Sequence, residues 1–164
     1  IAVPQLLDRQ LDAEPSSNER APIQMARQEV SGSTRSNNPL DGRKIQIPAS
    51  GNGHFYVEAR MNGYRTTVLV DTGATMVAIN ETTARRMGIR LRDFDFKYKV
   101  STANGFTDVA RAEIDEITIG RVRVENVIAS VARDEALNVV LLGMSFLQKL
   151  RKFEIANNEL VLTQ

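Results

Sequence analysis

The stretch Leu69-Val70-Asp71-Thr72-Gly73-Ala74-Thr75 constrains this chain more than any other. Two apolar residues carry an aspartate onto a Thr-Gly turn, and apolar character resumes with Met76, Val77 and Ile79. A strand must therefore run into the core, break at a carboxylate and re-enter the core after one tight turn. A carboxylate held at such a break loses solvation while the turn's own N–H groups can bond it. Carboxylates in that setting become acid/base catalysts. The same spelling also serves a plain turn, because Asp and Gly are common turn residues. The surrounding chain decides between the two.

Composition narrows the choice. The 164 residues are 42% hydrophobic and 25% charged, with a formal net charge of +1, which fits one globular domain with extensions. Neither the charge nor any basic stripe with interleaved aromatics points to nucleic acid. Cysteine is absent, which excludes thiol nucleophiles and Cys-based zinc sites and locates no compartment. The single histidine, His54, has no G-x-S-x-G serine to partner it and no ligand-spaced neighbours, so it reads as structural, with no metal site and no cofactor expected. No apolar run is long enough to span a bilayer. The chain opens on Ile1 rather than Met, which fits a trimmed or processed product.

Residues 1–43 differ from the rest. They hold Pro4, Pro15, Pro22 and Pro39, with polar clusters such as Ser31-Gly32-Ser33-Thr34. This segment reads as a linker or pro-region of low order, unable to bury a core of its own. From residue 44 to 164 the pattern turns to β. Phe55, Val57 and Ala59 alternate with polar residues up to Asn62-Gly63, a hairpin signal because both turn positions accept positive φ. The returning strand, Tyr64 to Val70, ends at Asp71.

A short helix is expected over Asn80–Gly88, with Asn80 as N-cap. A second hairpin is expected from Phe96–Thr102 and Phe106–Ile114 around the tip Ala103-Asn104-Gly105. The strand from Val122 to Ala132 changes parity near Asn126, which predicts a bulge. Val139 to Gly143 forms an apolar strand, and helical spacing follows from Met144 to Leu150. The fold class is thus all-β, a barrel with one or two short helices.

The order of these elements resembles a retropepsin-like aspartic protease, more narrowly the bacterial membrane-anchored family of the periplasm. Four segments carry the resemblance: Gly53 to Val57, Asp71 to Thr75, Ser101 to Gly105, and Leu141-Leu142-Gly143-Met144-Ser145-Phe146-Leu147. It implies one lobe of the acid-protease barrel per chain, a periplasmic location, and a membrane anchor upstream of residue 1.

Peptide hydrolysis by carboxylates alone needs two of them, one to take a proton from water and one to polarise the scissile carbonyl. The chain holds a single Asp-Thr-Gly. The second carboxylate is therefore expected from a second copy, a C2 homodimer acting on polypeptide with two Asp71 side chains at its axis. Two carboxylates sharing one proton in aspartic proteases are an established example of this effect. The resemblance implies that the Thr72 hydroxyl bonds across the dimer axis. Gly73 leaves room for N–H groups to reach the carboxylate. Ala74 lacks the hydroxyl that a serine there would offer the carboxylate, so the dyad is expected to work nearer neutral pH than a digestive aspartic protease.

Thr102, Ala103, Asn104 and Gly105 form the candidate flap, and Leu141, Leu142 and Gly143 the support behind the loop. Two alternatives stay open: a non-catalytic dimerisation or peptide-binding module of the same fold, and a zymogen blocked by its N-terminal segment.

Overall fold

The computed structural model describes residues 43–102 and 105–164. The expected linker or pro-region, apart from Arg43, and the flap-tip residues Ala103 and Asn104 lie outside the described residues.

The elements run β1 (Lys44–Pro48), β2 (Tyr56–Met61), β3 (Tyr64–Val70), β4 (Val77–Asn80), α1 (Glu81–Arg86), β5 (Tyr98–Thr102), β6 (Gly105–Ile119) and β7 (Val122–Ala132). They continue with β8 (Val140–Leu142), α2 (Met144–Leu147), β9 (Lys152–Ala156) and β10 (Glu159–Thr163). Local chemistry accounts for most of the boundaries. Asn62 (φ 46°) and Gly63 (φ 85°) both take the left-handed conformation that the β2–β3 hairpin demands. Asn80 caps α1 by accepting from the Thr83 N–H at 2.9 Å. Gly88 (φ 81°) lies just beyond the end of that helix. The second helix is shorter than its apolar spacing predicted and ends at Leu147. Strand β5 likewise starts later, because a 3₁₀ turn occupies Asp93–Asp95 and Phe96 caps it.

Two sheets result. One has the order β1-β10-β9. The other has the order β2-β3-β8-β4-β7-β6-β5, and β2 also pairs with β6 through Arg60↔Thr118 and Met61↔Ile117. That extra pairing closes the ring β2-β3-β8-β4-β7-β6 into a barrel. The interior is aliphatic. Met61, Ile79, Ile114, Ile117, Leu142 and Phe146 are fully buried, each removing roughly 1.5–3 kcal/mol worth of apolar surface from water.

The bulge expected near Asn126 is corrected by the register. Ile114↔Val127 and Glu116↔Glu125 continue one unbroken pairing, so no residue is inserted. Asn126 instead adopts φ 54°, and both strands swap faces at the same place. Buried positions shift from Val122 and Val124 to Val127 and Ala129 on β7, and from Ile114 to Ile117 on β6. This is the corner at which the long hairpin turns toward β2.

Candidate active site

Strand β3 positions the carboxylate. Val68 and Val70 are buried, and β3 lies between β2 and the parallel strand β8, with Val70↔Leu142 as its last pair. At the next residue the Asp71 N–H still bonds the Leu142 carbonyl at 3.2 Å, and then the chain turns. The Ala74 N–H closes that turn onto the Asp71 carbonyl at 3.3 Å. The Gly73 N–H donates to Asp71 Oδ1 at 2.8 Å, which fixes the half-buried side chain. A Cβ at Gly73 would stand 3.1 Å from the same oxygen, a close contact that glycine avoids. Thr72 is exposed beside it.

The expected support residues lie directly behind the loop. Leu141 pairs with Leu69 on one side and Ala78 on the other, so β8 joins the strands that enter and leave the turn. Gly143 then passes beneath the loop. The N–H groups of Met144 and Ser145 bond the carbonyls of Ala74 (2.8 Å) and Thr75 (3.0 Å).

Ser145, one residue of the Leu141–Leu147 motif, has a specific task in the structure. Its Oγ accepts from the Val77 N–H at 2.9 Å and donates to the Ile128 carbonyl at 2.7 Å. One hydroxyl thereby joins the end of the Asp71 loop to β7. The available signal was a serine in the first turn after Gly143, a residue type that bonds backbone groups.

The candidate flap is carried by a hairpin of its own. Strands β5 and β6 pair from Tyr98↔Val109 to Thr102↔Gly105, and the Thr102 hydroxyl donates to the Gly105 carbonyl at 2.8 Å. Gly105 has φ 107°, which glycine alone adopts readily. Phe106 beside it is 80% exposed. His54 is exposed ahead of β2, its ring edge-on to Tyr56. Among the described residues no cluster of His, Cys, Asp and Glu is arranged to hold a metal. Asp71 does not line the concavities of about 640 Å³ around Arg60 and about 410 Å³ around Tyr64.

A family model described as "gag-polyprotein putative aspartyl protease" matches residues 57–149, which span β2 to the turn after α2. The chain belongs to this aspartyl protease family.

Its fold is the retropepsin-like barrel. A solved retropepsin-like aspartic protease from Rickettsia conorii superposes with a TM-score of 0.65 at 31% identity, over 74% of this chain and 91% of that one. Two curated relatives are described as uncharacterized proteins. One, from Sinorhizobium sp., is 38% identical over 109 residues, covering 66% of this chain and 47% of the relative. The other, from Rickettsia prowazekii (strain Madrid E), is 33% identical over 119 residues, covering 73% and 51%. The chain therefore spans about half the length of the curated relatives it matches.

Proposed function

We propose that this protein is an aspartic endopeptidase that works as a homodimer, each chain supplying one Asp71. The observation that carries the reading is the Asp71 loop itself. It holds one carboxylate by a backbone N–H, stands half-buried where β3 ends, and is clamped from below through Gly143, Met144 and Ser145. Such a half-site becomes a cleft when a two-fold axis brings a second copy against it.

In that cleft a water lies between Asp71 and Asp71 of the partner subunit. The ionised carboxylate takes a proton from the water as its oxygen attacks the scissile carbonyl carbon. The protonated carboxyl donates to the carbonyl oxygen, giving a neutral gem-diol. Collapse of the gem-diol breaks the C–N bond. The amine leaves with the proton taken from water, and the donor is reprotonated from the diol. Exposed Thr72 is the residue at hand to bond the partner's loop. The β5–β6 hairpin covers the extended substrate, with Thr102 and Gly105 at its described end.

Incubating an unstructured protein with the chain, followed by mass spectrometry of the products, tests the reading. Cleavage by the wild type that disappears in Asp71→Asn supports it, and equal product from both removes it. A periplasmic location with an anchor upstream of residue 1 belongs to the same proposal and is checked by fractionating cells that express the full-length protein. Among the described residues no helix is long and apolar enough to cross a membrane.

A further inference from the structure

Strand β3 carries Arg65 near its start and delivers Asp71 after its end, roughly 20 Å further along at about 3.3 Å per residue. Around Arg65, the barrel surface holds a row of guanidinium groups that the proposed chemistry does not use. Register sets Arg65 directly opposite Arg60, Arg60 opposite Thr118, and Thr118 opposite Arg123, one row across four strands. Like charges directly opposite each other destabilise a sheet. This row is compensated only in part. Glu58 lies 3.7 Å from Arg65, while Glu116 and Glu125 hold Arg123 at 2.7 and 2.8 Å. Among the described residues no carboxylate pairs with Arg60, nor with Arg43 and Arg121 on the same concavity.

The five arginines and two of these glutamates, Glu58 and Glu116, face a space of about 640 Å³. We propose that this concavity binds a multivalent phosphate-bearing anion. A ligand carboxylate would bring no more charge than the two glutamates already there. A phosphoryl group carries about −1.5 to −2 at neutral pH and offers three acceptor oxygens to several guanidinium forks at once. The site is independent of the proposed proteolysis. The same chemistry occurs in soluble polyphosphates and in phospholipid headgroups.

Calorimetric titration of the full chain with inorganic tripolyphosphate, against sulfate at matched ionic strength, tests the site. A parallel arm uses phosphatidylcholine vesicles with and without phosphatidic acid. The double variant Arg60→Glu, Arg121→Glu is expected to weaken binding by about tenfold or more. Arg60→Gln should give a smaller loss. Both variants change exposed side chains, so an unaltered circular dichroism spectrum and melting temperature without ligand establish that they fold. Variant-sensitive binding of tripolyphosphate alone assigns the site to a soluble phosphate compound. Variant-sensitive binding of the phosphatidic acid vesicles, with or without tripolyphosphate, assigns it to a headgroup. The proposal is overturned if neither probe binds better than its control, or if the double variant binds as the wild type does.

Discussion

A Cβ on Gly143 would lie 2.2 Å from the carbonyl oxygen of Met76, and 2.6 Å from that of Ala74. The strand behind the Asp71 loop and the loop itself are in contact with no room for a methyl group. Because Gly143 has φ −90°, the demand for glycine is one of space and not of backbone conformation. Gly143→Ala should therefore lower stability by about 3 kcal/mol, the upper end for overpacking. Gly51→Ala, with nothing within 4 Å of its Cβ, should stay within about 0.5 kcal/mol of the parent. Urea denaturation of the two variants compares them, and equal midpoints would contradict this account of Gly143.

Ser145 holds two backbone groups, the Val77 N–H and the Ile128 carbonyl. Ser145→Ala leaves both without a partner in a part-buried place, at a cost of about 1–3 kcal/mol. Amide hydrogen exchange at Val77 should accelerate more than exchange in β10, which the hydroxyl does not touch. Uniform acceleration would mean that Ser145 acts through global stability alone.

Asp134 gives stability a pH dependence on the acid side. Its carboxylate accepts from the Thr82 N–H at 2.8 Å and from the Thr82 hydroxyl at 2.7 Å, and those bonds hold it below the usual carboxylate range, the backbone bond most of all. A carboxyl depressed on folding adds stability above its unfolded pKa, near 4. That contribution fades as pH falls through the lower folded value. Asp134→Asn should thus be less stable than wild type at neutral pH, with the difference shrinking below the ordinary carboxylate range. Thermal melts across that range check it, and a gap that stays constant with pH would contradict it.

Arg133 ties the base of the candidate flap to the barrel. Its guanidinium lies 3.7 Å over the Phe96 ring and bonds Glu81 at 2.9 Å and Asp93 at 3.2 Å. Phe96 and Asp93 directly precede β5, so Arg133→Gln should loosen that approach. Faster hydrogen exchange across 93–100, with the Asp71 loop unchanged, is the expected pattern. Protection unchanged across 93–100 would show that the contact holds nothing.

Much of the fold was legible where single residues dictate backbone geometry. Asn62-Gly63, the Asn80 cap and Gly88 sit where local rules put them, and the apolar alternation placed the strands around Asp71. What composition and spacing did not supply was long-range. The closure of the barrel at Met61↔Ile117 and the parallel pairing of β3 with β8 join segments far apart in sequence, and no local propensity encodes them. The parity change at Asn126 marks a break in the alternation without an inserted residue. The matching change at Ile114 to Ile117 in the opposite strand was the signal that distinguishes a corner from a bulge. The role of Ser145 was not legible because helical spacing groups it with the polar Gln148 and Lys149, while its partners Val77 and Ile128 lie far away in sequence.

Subunit mixing tests the shared active site most directly. Wild type is held at fixed total protein while Asp71→Asn replaces it in increasing proportion, after exchange of subunits, and cleavage of the unstructured substrate is followed. With two Asp71 carboxylates from two chains, activity should fall as the square of the wild-type fraction. A linear decline would mean that each chain cleaves by itself, and the two-chain site would be wrong.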